Sequence, residues 1–167
     1  MVSSHWAKGQ ARWAAVVSMS LVIGVVTGLH SLVAVATGGL LFALAVLVHE
    51  AGHVVAYRAL APLDAPAIFV VRGMRCHLVR MRLVPVSDGA VALAGPLAPA
   101  AMAIFFVPLL FADRVAPWLP LVCFAWLALA LSHALCAALP FGDGTTIRES
   151  WSLARAERST RQRSSTT

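Results

Sequence analysis

The sequence predicts a helical membrane protein with about four transmembrane helices and a short membrane-associated β-hairpin between the second and third. Composition is the first reason: of 167 residues, 60% are hydrophobic and only 12% charged, against roughly a quarter charged in a soluble domain. Long uncharged runs separated by short polar joints are the second. The third is the placement of the basic residues, which flank the apolar runs instead of mixing with them. All of the 13 basic residues except Lys8 are arginine, and the net charge is +6. In this setting the arginines face anionic headgroups and set topology, and nucleic acid is excluded as a partner. Cys76, Cys123 and Cys136 show no paired spacing, so no disulfide framework is implied.

Residues 1–12 are polar. From Trp13 to Val48 no formal charge occurs, and only His30 interrupts the apolar character. The run is too long for the apolar region of a secretory signal, roughly 7 to 15 residues, despite an A-x-A at Ala34-Val35-Ala36. As one helix it would measure about 54 Å, nearly twice the hydrocarbon thickness. It must fold back between Gly28 and Gly39, giving spans of about 13–30 and 36–60, the second stopped by Pro62. Beyond Pro62 the pattern changes to alternation. Val79, Met81 and Leu83 fall on one side of a strand and Leu78, Arg80, Arg82 and Val84 on the other, with Gly73 available for the turn of a hairpin.

No charge appears from Gly89 to Ala112, a third span of about 89–112 that tolerates its internal prolines because neighbouring helices can satisfy the freed carbonyls. After a short joint at Asp113 and Arg114, a fourth span covers about 116–142. Residues 1–144 thus form one integral-membrane core and 145–167 a polar tail, with a short surface helix over Ile147–Glu157 and disorder expected from Ser159. Basic residues gather at the N-terminus, in the 61–88 connection and in the tail. With four spans, both termini and that connection are cytoplasmic by the positive-inside rule, and the protein is multi-pass in the cell membrane.

One stretch carries chemistry: His49-Glu50-Ala51-Gly52-His53 in the second half of the second helix. Four residues apart on a helix, His49 and His53 project from one face and can share a metal ion, Zn2+ by the usual preference for this pattern. Glu50 lies beside the first ligand as a candidate general base. Charged groups in so apolar a segment are costly, so the trio is a functional hypothesis by default. A third ligand is needed. Asp143, at the end of the fourth span, lies on the same side of the membrane as HEAGH, and the following Gly144 allows a tight turn that aims its carboxylate inward. Asp88-Gly89, at the entry of the third span, is a rival with the same doublet. His133 is ten residues before Asp143, about 15 Å deeper if the helix is continuous, and is expected to have an intramembrane hydrogen-bonding role.

With HEAGH at His49–His53, Ala92-Leu93-Ala94-Gly95-Pro96-Leu97-Ala98 on the next span and Asp143-Gly144 at the end of the last, the chain resembles the site-2 protease family of intramembrane zinc metalloproteases. The three motifs occur in the family's order and cover roughly residues 35–146. The resemblance implies an intramembrane endopeptidase with zinc held by His49, His53 and Asp143, and with Glu50 as general base. It implies single-span membrane proteins or signal-peptide remnants as substrates. An extended substrate would pair with the membrane-associated hairpin near Ile68, Val70 and Val71. Ala94, Gly95 and Ala98 make a small-residue surface for close helix approach. The chain departs from the family where an N-x-x-P segment usually precedes the aspartate: Ala137-Ala138-Leu139-Pro140 has no asparagine, and Pro99 stands where family members often have another. The alternative is a non-catalytic relative that binds zinc or a membrane partner, against which Glu50 argues. A metal carrier is disfavoured because the other spans, His133 apart, offer no further ionisable groups.

Overall fold

A computed structural model describes residues 4–72, 75–111 and 118–164, with the side chains of 4–12, 14, 71, 72, 75 and 76 left aside. The order is α1 (Ser4–Thr27), α2 (His30–Leu60), β1 (Ala67–Arg72), β2 (Arg75–Arg80), α3 (Pro85–Ala103), a 3-10 turn (Val107–Phe111), α4 (Leu119–Cys136) and α5 (Asp143–Ser164). Three segments are long and apolar enough to cross a membrane: α2, Pro85–Phe111 and α4. Within α1 the described apolar stretch, Ala15–Thr27, is shorter.

Breakers explain most boundaries. The chain reverses between α1 and α2 at Gly28, whose φ of +70° suits glycine. The other candidate breakers, Gly38 and Gly39, stay helical. A Cβ on Gly39 would sit 3.7 Å from the Trp13 ring, so this glycine belongs to the α1–α2 packing surface and not to the turn. The third helix begins at Pro85, four residues before the predicted entry, because proline is well suited to a first helical turn and Asp88 adds a favourable charge there. It stops at Ala103 because Pro108 cannot donate to the Ile104 carbonyl. Likewise α4 stops at Cys136, whose carbonyl would need the missing N–H of Pro140.

Two apolar clusters hold the helices. Trp126, fully buried, packs with Ala45, Ala103 and Ala130, stacks on Phe106 at 5.2 Å between centroids and donates its indole N–H to the Pro99 carbonyl at 3.3 Å. At the other end Tyr57, Ala65 and Val91 form the second cluster, with Leu78 and Leu83 against it. The hairpin is antiparallel, with Ile68 opposite Val79 and Val70 opposite His77. Its predicted turn residue, Gly73, lies outside the described residues. Tyr57 pins the hairpin's approach by donating its hydroxyl to the Pro66 carbonyl at 3.0 Å, and the Arg80 guanidinium lies 5.5 Å over the Tyr57 ring.

The contact that sets the spacing of α2 and α3 is at Gly52. A Cβ there would lie 2.5 Å from the Ala94 carbonyl oxygen and 2.7 Å from the Ala98 Cβ. The small-residue surface expected at Ala94, Gly95 and Ala98 is thus met by a glycine from the facing helix, as close backbone approach requires. The polar C-terminal segment differs from expectation. The single helix α5 runs from Asp143 to Ser164, past the disorder predicted from Ser159, and the 144/145 boundary falls within its first turn. It docks on α3, where a Cβ on Gly89 would come within 3.1 Å of the Ser150 Cβ, and Ser150 is buried. Gly52→Val should force α2 and α3 apart and destabilise the protein by about 1–3 kcal/mol, read as a lower thermal midpoint of the detergent-solubilised protein.

Candidate metal centre

His49 and His53 sit one helical turn apart on α2, as their spacing dictates, and α4 returns its chain to them through a sharp corner. Gly142 takes a left-handed φ of +56° in that corner. Gly144, expected to be the turn residue, serves instead to let α5 start hard against the preceding loop, since a Cβ there would overlap the Leu139 carbonyl. Arg148 fastens the same loop by donating to the Ala138 carbonyl. Asp143 is therefore the first residue of α5, where a negative charge is favourable.

Its carboxylate meets both imidazoles. Asp143 Oδ2 lies 3.1 Å from His49 Nε2, and Oδ1 lies 3.4 Å from His53 Nε2. The two Nε2 atoms are 3.2 Å apart. A tetrahedral ion with bonds of about 2.0–2.1 Å spaces its ligand atoms about 3.3 Å from one another, so this triangle has the dimensions of one face of such a site. His53 is also set up for ligation by its far nitrogen: Nδ1–H donates to the Val91 carbonyl at 2.8 Å, which leaves the Nε2 lone pair toward the cluster. Burial acts to raise the Asp143 carboxyl, but when the two rings are protonated the hydrogen bonds and charge of His49 and His53 together outweigh it and hold the group well below the usual carboxylate range. The His49–His53–Asp143 group could hold a metal ion.

A cavity of about 300 Å3 opens onto the triangle, lined by all three residues and by Glu50. Glu50 is buried, and its Oε2 has no hydrogen-bond partner among the described residues. An orphaned carboxylate oxygen beside three converging metal donors fits a base that works on a water bound there. The rest of the wall comes from Ala92, from His77, Leu78 and Arg80 on β2, and from Gly142 and Thr146. Period-two alternation placed Leu78 and Arg80 on one strand face, but nothing in the sequence aimed that face at HEAGH.

The rival ligand Asp88 is engaged elsewhere. Its buried carboxylate accepts from Arg80 and, at 3.2 Å, from the Leu83 backbone N–H, tying the hairpin to the start of α3. Ile68 and Val70 lie on β1, Ile68 exposed and Val70 half-buried, and neither lines the cavity; the Val71 side chain is outside the described set. His133 is not 15 Å from the cluster. Because α4 ends at Cys136 and the chain doubles back, its ring centroid lies 5.0 Å from that of His49.

No family model, no curated protein and no solved structure matches the chain significantly. The resemblance to site-2 proteases therefore rests on the three short motifs alone.

Three substitutions separate the ligands from their surroundings. Asp143→Ala should abolish stoichiometric metal in the purified protein, while Asp88→Ala should retain it, as read by elemental analysis. Gly95→Ala should lower metal content without replacing a ligand, because a Cβ at Gly95 would overlap the His53 ring.

Proposed function

We propose that the protein is an intramembrane zinc metalloendopeptidase, similar to site-2 proteases, that hydrolyses peptide bonds of membrane-embedded substrates. The observation that carries the reading is the coincidence of a two-histidine, one-aspartate donor triangle with a Glu50 carboxylate oxygen that has no partner among the described residues, in one cavity. Two imidazoles and a carboxylate are a common ligand set for catalytic zinc, and leave room for water. Zinc bound there would supply Lewis acidity and acidify water. His49, His53 and Asp143 would hold the ion. Glu50 takes the proton of the attacking water and delivers it to the leaving amine.

Hydrolysis needs an extended peptide, since the backbone of an intact helix is engaged with itself. The hairpin offers free edges of the kind that bind extended chains. Because His77, Leu78 and Arg80 border the cavity, the bond to be cut lies nearer β2, and Ile68, Val70 and Val71 of β1 contact the substrate farther out. In this reading α1 completes a four-span core, the termini and the hairpin are cytoplasmic, and the protein resides in the cell membrane. Substrates are single-span membrane proteins or signal-peptide remnants.

Reconstitution with single-span substrates tests this directly. Glu50→Gln should keep about one zinc per chain and lose cleavage by a factor of about 10² to 10⁴. Metal-loaded wild type that cleaves no such substrate, or Glu50→Gln that cleaves normally, would overturn the proposal.

A further inference from the structure

The two histidines are anchored unequally. His53 gives its Nδ1–H to the Val91 carbonyl, but the Nδ1 of His49 is buried and has no hydrogen-bond partner among the described residues. A histidine that binds a metal through Nε2 carries its proton on Nδ1, and such ligands nearly always donate that proton to an outer acceptor, which fixes ring orientation and raises ligand basicity. His49 therefore lacks a partner that its neighbour has.

Beside it stands a second, half-buried imidazole. His133 makes ring contact with His49 at a centroid separation of 5.0 Å and an interplanar angle of 41°, and it takes part in none of the side-chain hydrogen bonds found among the described residues. It lies on α4, an otherwise apolar helix whose neighbouring polar residue, Ser132, is already committed to the Leu129 carbonyl at 2.7 Å. An ionisable side chain on such a helix calls for a partner. A neutral imidazole has one bare nitrogen that accepts a hydrogen bond, and His133 brings such a nitrogen into ring contact with His49. The ligand atoms of His49, His53 and Asp143 lie within 4.8 Å of one another and His133 does not join that group, so its place is outside the ligand set.

We propose that His133 is a positioning residue for the metal centre: it accepts the His49 Nδ1–H and does for His49 what the Val91 carbonyl does for His53. This rests on the metal-binding reading above, and adds an outer ligand shell supplied by α4.

Metal affinity tests it without any substrate. Full-length protein in detergent is stripped with a chelator and titrated with zinc against a competing chelator, and with Co2+ by visible absorption. His133→Phe keeps a ring but no acceptor, and His133→Gln restores an acceptor. His133→Phe should weaken zinc binding roughly 10- to 100-fold at unchanged stoichiometry and unchanged helical content, and His133→Gln should recover part of the loss. If His133→Phe binds as tightly as wild type, the ring contact is packing only and the proposal falls. If instead it loses a Co2+ ligand, seen as a changed coordination spectrum, His133 is a direct ligand and the positioning role is equally overturned. Failure of the underlying reading looks different: wild type itself then binds no metal.

Discussion

The site depends on how closely α2 and α3 approach. Gly52 on one helix and Ala94, Gly95 and Ala98 on the other bring the backbones together until a single added methyl group would collide with a carbonyl. That proximity places the Val91 carbonyl within 2.8 Å of His53 and leaves space over Gly95 for the imidazole ring. In a membrane, where lipid is as apolar as the side chains and burial gives little drive to helix association, such van der Waals fit is a principal source of cohesion. Small residues therefore define both the stability of the pair and the direction in which one ligand points.

Around that contact the polar groups are sorted by partner. Asp88 and Asp143 are each followed by glycine and stand at the same end of the helix bundle, yet one is neutralised by Arg80 and the Leu83 amide while the other faces two imidazoles. Arg80 links these roles, because it holds Asp88, lies over Tyr57 and also borders the cavity. The hairpin is thus fastened to the bundle at the edge of the site and cannot drift from it without exposing a buried ion pair.

The sequence made legible what depends on local rules. Spacing on a helix put His49 and His53 on one face, charge placement put Asp143 on their side, and alternation found the hairpin. Features that depend on chain reversal in space were hidden. His133 looked remote because a continuous helix was assumed, whereas Pro140 ends α4 early and Gly142 turns the chain back. Gly144 was assigned the backbone freedom that Gly142 uses. The contributions of His77, Arg80 and Thr146 to the cavity wall required knowledge of how β2 and α5 dock. So did the persistence of α5, whose polar composition resembles a solvated tail until Gly89 and Ser150 are seen to interlock.

That last helix changes what the polar C-terminus is for. Asp143 is its first residue, Arg148 one turn later ties it to the preceding corner, and Ser150 is packed against α3. The segment acts as a strut: the carboxylate sits at its tip, and the shaft is braced on a helix that also carries the Val91 carbonyl. The region that looks most dispensable by composition is mechanically continuous with the centre of the molecule.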